Sequence, residues 1–412
     1  MKSRAAWQVI GISCVGHFYF HYFAAMYYTI VVALTVEWAL PYHELITLWS
    51  LGALLVALGA VPAGRLADRW SASGMMVIYF LCMGAFTFAA GFARDPFQLG
   101  LCLAGIGLFG AIYHPVGIPW MIRHTSGHTG KWLAVNGVFG GFGSAAAGGA
   151  TALLMAFGDW RLAFLLPGFL CVLTGLWMLQ AWRRGRIGDD GVARSEAPGA
   201  AAGNGNRGAR IQIFIMLLFS MFVMGLIFNV MQAVMPQLFT ERMGEALAGN
   251  AVGAGLLVSV VYAISAIMQL GGGWLADRFA LKRIYIGAWI LQSVIVFVLA
   301  EAAGLPLFLA ALLLASAGAG ALPAENMLLF RYAPPEHRSL AFGLKFILFF
   351  GSGPVALELI ALARELTGGF GGLFLALGGL AMIATLVAAW LPLRRLDRVT
   401  QAVPAAAPAA AE

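Results

Sequence analysis

"GRLADRW" at 64–70 and "GGWLADRF" at 272–279 set the same charged corner, Leu-Ala-Asp-Arg, at two places 209 residues apart in a chain of 412. Each corner interrupts long apolar runs, and its return at half the chain length points to a duplicated architecture. Hydrophobic residues make up 61% of the chain and charged residues 10%, against roughly 25% charged in a soluble domain. A water-soluble protein of this size needs far more polar surface, so the solvent for most of this chain is lipid. A helix takes about 20 apolar residues to cross the hydrocarbon core. Twelve stretches meet that length, from 7–33 to 370–391. Their unbroken runs lack the two-residue alternation of a membrane barrel. The expected fold is an all-α polytopic membrane protein with twelve transmembrane helices.

The formal charge of +7 invites a nucleic-acid reading, but its distribution argues against one. With the N-terminus in the cytoplasm, 20 of the 25 Lys and Arg residues fall at cytoplasmic ends and loops, Arg65, Arg69, Arg123, Arg278 and Arg331 among them. Four (Arg94, Arg161, Arg242 and Arg364) fall outside, and Lys345 lies within a span. That asymmetry follows the positive-inside rule and places both termini in the cytoplasm. The basic charge is a topology signal. The partners expected are the bilayer and a small-molecule substrate, with no nucleic acid, and the chain is expected to be a monomer. Cys14, Cys82, Cys102 and Cys171 all fall in apolar stretches, which suits buried small residues and not a disulfide framework. The first apolar run is too long for a signal-peptide core and is expected to be retained.

Residues 183–210, rich in Gly, Ala and Arg without apolar periodicity, are expected to form a flexible cytoplasmic linker. They separate a six-helix bundle at 1–182 from another at 211–393, with a disordered Ala/Pro-rich tail at 394–412. The repeat extends beyond the corners. At an offset of 208, Gly110, Pro115 and Arg123 fall on Gly318, Pro323 and Arg331. Duplicated bundles related by an axis along the membrane normal are a transporter architecture.

The corners, Gly64-Arg65-Leu66-Ala67-Asp68-Arg69 and Gly273-Trp274-Leu275-Ala276-Asp277-Arg278, lie after the second and eighth spans. There they resemble the G-x-L-a-D-r-x-G-r-k signature of the major facilitator superfamily. The resemblance implies that fold, with two six-helix halves, and a latch role for Gly64, Asp68, Arg69, Gly273, Asp277 and Arg278. A loop carboxylate gains hydrogen bonds from helix N-termini and arginines only when the halves close on that side. "WSASG" replaces the Gly and basic run after the first corner, and Ala280 stands where the family prefers Gly. A narrower likeness, carried by "GIGLFGAIYHPVGIPWMIRHTSGHTGKWLAVNGVFGGFGS" (105–144) and "SCVGHFYFH" (13–21), is to the fosmidomycin-resistance branch. That branch has an acid where this chain has His21. The fifth span, "GVFGGFGSAAAGGA", resembles the family's antiporter motif without its Gly-Pro pair, whereas "GSGP" (351–354) occurs in the eleventh.

Ionisable groups within a span are costly and mark function by default. They are His17, His21, His114, Glu325, Lys345 and Glu358. His17 and His21, four residues apart, share a helix face, with His17 about 15 Å deep. The pair can carry a proton or hold substrate, hold a metal, or pack the helix. Two histidines are too few for a metal site by themselves, so no metal is assigned. His114 precedes Pro115, whose missing N–H loosens the helix, so it suits a gate or plain packing. Glu325 and Lys345 each lie about 10 Å from the cytoplasmic edge on consecutive helices. An unpaired buried charge is expensive, so an ion pair is expected, either static or broken by substrate or proton. Glu358 can snorkel to the outside and is read as structural. Tyr113, Asn136, Asn229, Gln232, Gln237 and Asn326 are further cavity candidates.

No Walker loop, H-E-x-x-H, nucleophile elbow or dinucleotide fingerprint occurs, so neither an enzyme nor an ATP-driven pump is expected. No cofactor is expected, and the energy source is an ion gradient, with protons suiting the histidines and Glu325. Three histidines and a lysine against one shielded glutamate favour a small organic anion or zwitterion. The expected protein is a secondary transporter of the bacterial inner membrane working by alternating access. The resemblance implies proton-coupled export, as an antiporter. The alternatives are a carboxylate importer, a His-dependent divalent-metal carrier, and a transporter-shaped sensor or assembly factor without turnover.

Overall fold

A computed structural model describes residues 4–125, 129–189, 207–244, 251–333 and 338–391. Among them are twelve helices long and apolar enough to cross a membrane, and no strand. The first six are α1 (Ala5–Glu37), α2 (Tyr42–Arg69), α3 (Ala72–Ala90), α4 (Pro96–Arg123), α5 (Lys131–Phe157) and α6 (Trp160–Arg183). The second six are α7 (Gln212–Arg242), α8 (Val252–Arg278), α9 (Leu281–Leu299), α10 (Gly304–Tyr332), α11 (Ala341–Thr367) and α12 (Gly371–Trp390). Polar residues punctuate the apolar runs where the chain turns. Ser71 accepts from the Gly74 N–H to start α3, Asp95 from the Gln98 N–H ahead of Pro96 in α4, and Asp159 from the Arg161 N–H in α6. Each satisfies a helix N-terminal donor left without an intrahelical partner.

The duplication is visible in the packing. In the first half α1 packs on α5, α2 on α4 and α3 on α6; in the second, α7 packs on α11, α8 on α10 and α9 on α12. The halves meet along two equivalent seams, α5 against α8 and α2 against α11. Large apolar side chains such as Leu54, Leu58, Phe169, Leu173, Ile267 and Leu386 remain outward and exposed, as a lipid-facing surface requires. Successive helices alternate in direction, so both Leu-Ala-Asp-Arg corners lie at one end of the bundle, here called the corner end.

The linker differs from expectation at both edges. Residues up to Asp189 are docked on the first half: Asp189 accepts from the Ser71 hydroxyl at 2.7 Å and the Ser73 N–H at 2.8 Å. The Trp120 indole donates to the Gly188 carbonyl, and Ile187 is buried. Helix begins again at Arg207. Free N–H groups at the start of α3 and a nearby hydroxyl give Asp189 a reason to dock that composition does not reveal. The remainder of the expected linker, and the 394–412 tail, lie outside the described residues.

Candidate functional site

The polar residues of the first half gather where α1, α4 and α5 meet. Around Pro115, α4 widens into a π-helical turn over Tyr113–Gly117. Proline cannot donate to the helical ladder, and such bulges re-aim side chains. The turn swings Tyr113 and His114 toward α1. His17 stacks on Tyr113 at a ring separation of 4.9 Å and lies 4.9 Å from His21 and 5.3 Å from His114. His21 and His114 are 5.8 Å apart, which closes a triangle of imidazoles. The Nδ1–H of His17 donates to the main-chain carbonyl of Asn136 at 2.7 Å. The Asn136 amide donates to the Tyr113 hydroxyl at 2.9 Å, and that hydroxyl donates to the Ser13 carbonyl at 2.9 Å. The His17 ring fits because α5 has Gly140 beside it, where a Cβ would stand 2.7 Å from the imidazole.

In the second half the polar group is charged. Lys345 Nζ lies 2.7 Å from Glu325 Oε1, with the two side chains 6% and 2% exposed. The same ammonium donates to Asn326 Oδ1 at 2.6 Å, and the Tyr285 hydroxyl reaches Glu325 Oε2 at 3.5 Å. A buried pair persists only when further hydrogen bonds satisfy both charges, and Asn326 and Tyr285 supply them. No hydrogen bond joins this pair to the histidines among the described residues. The link between them is aromatic: His114 touches Phe346 and Phe350, at 5.4 and 4.8 Å, on the helix that carries Lys345.

Beside His21, where the two halves meet, lies a cavity of about 30 Å³. Phe20, His21, Tyr28 and Trp49 line it from the first half, and Phe228, Asn229, Gln232 and Phe350 from the second. Asn229 donates to the Phe349 carbonyl and the Ser352 hydroxyl, both at 3.1 Å, and Gln232 donates across to Ser144 at 3.3 Å. Gln237 does not join the cavity; its amide donates to Glu241 at 2.6 Å near the opposite end. Glu358 does more than snorkel, because it accepts from Ser50 of the other half at 2.9 Å.

The two ends of the interface differ. Away from the corners, the Tyr42 hydroxyl donates to the Ala233 carbonyl across the halves. The Ser259 hydroxyl donates to the Ala145 carbonyl at 2.5 Å and accepts from the Gly149 N–H at 2.7 Å. Hydrogen bonds thus join the halves on that side. At the corner end Asp68, Arg69, Asp277 and Arg278 are exposed, and neither aspartate has an ion-pair or hydrogen-bond partner among the described residues. Arg278 rests on the Trp274 ring at 4.2 Å. The corners are not engaged across the halves in this arrangement. Phe346, Phe350, Trp49, Ser50, Ser259 and Tyr285 were not singled out from the sequence. Each is an ordinary span residue until the packing places it.

Two repeated six-helix bundles meeting around a central aromatic and polar cavity have the architecture of secondary transporters. The family model described as Major Facilitator Superfamily matches residues 13–254 and 213–410, so the chain belongs to that family. Among solved structures, the D-xylose-proton symporter superposes with a TM-score of 0.75 at 13% identity, covering 94% of this chain and 98% of that one. A POT family transporter in complex with 5-aminolevulinic acid gives 0.76 at 12%, covering 93% and 95%. At such identities they establish the fold. In sequence the chain is similar to the 4-hydroxybenzoate transporter PcaK of Pseudomonas putida, 30% identical over 188 residues, 44% of this chain and 40% of that protein. It is also similar to the gentisate transporter of Corynebacterium glutamicum, 35% identical over 89 residues, 21% and 20% of the two. The alignments thus span less than half of either relative. These relatives are named for aromatic acids, and the likeness to the fosmidomycin-resistance branch gains no support from them.

Proposed function

We propose that this chain carries a small aromatic carboxylate across the bacterial inner membrane together with a proton, as a monomer with both termini in the cytoplasm. The observation that carries the reading is the buried Lys345–Glu325 pair, whose lysine shares a helix with Phe350 of a cavity walled also by Phe20, Tyr28, Trp49 and Phe228. The aromatic walls suit a planar ring, and the names of the two relatives point to the same class of solute. A proton arriving on the Glu325 carboxylate cancels its charge and releases Lys345, whose ammonium then needs an anion. The substrate carboxylate supplies it. Loading one proton with one carboxylate leaves the net charge of the site unchanged, which lowers the cost of closing the halves over it. Symport replaces the export expected from the branch likeness, because export rested on that likeness.

The test uses purified protein in liposomes with labelled 4-hydroxybenzoate and an imposed pH gradient. The wild type should accumulate label. Glu325→Gln should keep exchange of label at zero gradient and lose gradient-driven accumulation, and Lys345→Ala should lose both. Full accumulation by Glu325→Gln overturns the coupling, and saturable binding without exchange in the wild type overturns transport.

A further inference from the structure

We propose that His17, His21 and His114 form a binding site for one divalent transition-metal ion of the zinc or cobalt kind. The site lies in the wall of the central cavity, with an open coordination position toward that cavity. One candidate nitrogen from each ring can be chosen so that all three lie within 4.8 Å of one another. Three imidazoles plus an exchangeable ligand make an open tetrahedral site with metal–nitrogen bonds of about 2.0–2.1 Å. In such a site the nitrogens are about 3.3 Å apart, so the rings need to close by roughly an ångström or a little more.

Two features favour that closure. The Nδ1–H of His17 is committed to the Asn136 carbonyl at 2.7 Å. That bond fixes the tautomer, leaving the Nε2 lone pair free, and orients the ring, as partners behind metal-bound histidines do. Gly140 leaves room for the ring in that position. His21 and His114, by contrast, have no hydrogen-bond partner among the described residues. They touch one another, Phe20 and His17, and His114 also meets Phe350. These contacts let the rings tilt without breaking a hydrogen bond. One imidazole is held and two are free to move in, an arrangement that a purely structural packing of histidines does not require.

Charge decides which way the open position serves. Imidazole ligands bring no charge to offset a dication, and no carboxylate belongs to the cluster among the described residues; Glu325 is paired with Lys345. His21 belongs both to the triangle and to the cavity wall, so an anion entering the cavity can complete the coordination. On the transport reading above, that anion is the substrate carboxylate. The metal site itself does not depend on that reading.

The test loads the purified full-length protein in detergent with Co2+ and records its visible absorption. Three imidazoles and one oxygen give intense tetrahedral bands, whereas hydrated Co2+ gives faint ones. One cobalt per chain is expected, with affinity falling at least about tenfold in His21→Ala and His114→Ala and unchanged in His124→Ala, which lies outside the triangle. His21→Gln and His114→Gln, which keep bulk and polarity, serve where an alanine variant is poorly folded, and the same loss is expected. Absence of tetrahedral bands in the wild type, or bands undiminished in the His21 and His114 variants, overturns the site. Added 4-hydroxybenzoate should shift the bands, and unshifted bands overturn the open position. Bands in a protein that shows no exchange of label leave the metal site standing and remove only the transport reading.

Discussion

Repeat-equivalent positions in the two halves carry different chemistry. Asn136 on α5 and Lys345 on α11 are 209 residues apart, and His21 on α1 and Asn229 on α7 are 208 apart. These are the offsets that align the duplicated corners and prolines. Around Pro115 the first half loosens into a π turn, whereas Pro323 sits within the single helix of α10. The first half thus holds imidazoles and amides, two of its rings without hydrogen bonds among the described residues. The second half holds a complete ion pair with every charge answered. A duplicated scaffold has divided its chemistry; on the function proposed above, one half adapts to what enters and the other holds a charge separation for a proton and an anion to open.

The largest effect tests that division directly. Removing Glu325 by Glu325→Ala leaves the Lys345 ammonium buried and unpaired, at a cost of about 3–5 kcal/mol. It should appear as a marked fall in thermal unfolding temperature in detergent. Replacing both partners with apolar residues, Glu325→Leu with Lys345→Met, should recover most of that stability while gradient-driven transport stays lost. If the double variant transports normally, the charge is only scaffolding.

Gly140→Ala probes the other half next. The new methyl meets the His17 ring at 2.7 Å, so ring or helix must shift, with overpacking costs of about 1–3 kcal/mol. Exchange of labelled 4-hydroxybenzoate should fall more than stability does, and an unaffected exchange rate would show that the His17 position is immaterial. Asn136→Ala, at the repeat position of Lys345, removes the amide donor to Tyr113 and should cost about 1–2 kcal/mol. A loss as large as that of Glu325→Ala would erase the contrast between the halves.

The smallest effect belongs to the corners. Asp68→Asn and Asp277→Asn should leave the unfolding temperature unchanged, since neither carboxylate has a described partner in this arrangement. They should shift the distribution of distances between spin labels at positions 70 and 279. A drop in stability without any distance change contradicts the picture of corners that engage only when the other end opens.

The twelve crossings and the repeat were legible because hydropathy, span length and duplicated motifs are local properties of the chain. The Glu325–Lys345 contact was legible for a different reason. Two opposite charges at equal depth on consecutive helices have few other ways to be satisfied. The histidine triangle was only half legible: the four-residue spacing joins His17 and His21, but the third ring enters through a π turn that no periodicity announces. Asn136 was legible only as a polar cavity candidate, and it is its main-chain carbonyl that orients His17. Asp189 read as part of a featureless linker, because its partners, Ser71 and the Ser73 N–H, come from a helix start more than a hundred residues earlier. Contacts of that range depend on how helices are set beside one another, which spacing along one helix does not encode.

The seam of α5 and α8 has a mechanical consequence. At Gly148 a Cβ would stand 2.6 Å from the Gly255 carbonyl oxygen, and at Gly141 one would stand 2.4 Å from Ala266. The two backbones therefore ride on each other with almost no side chain between them, like a shaft in a plain bearing. A helix end thirteen residues from such a pivot is about 20 Å away. A turn of roughly ten degrees, within the range of domain rotations, carries that end about 3.5 Å. Small rotations at a smooth fulcrum therefore become gate-sized displacements at the rims.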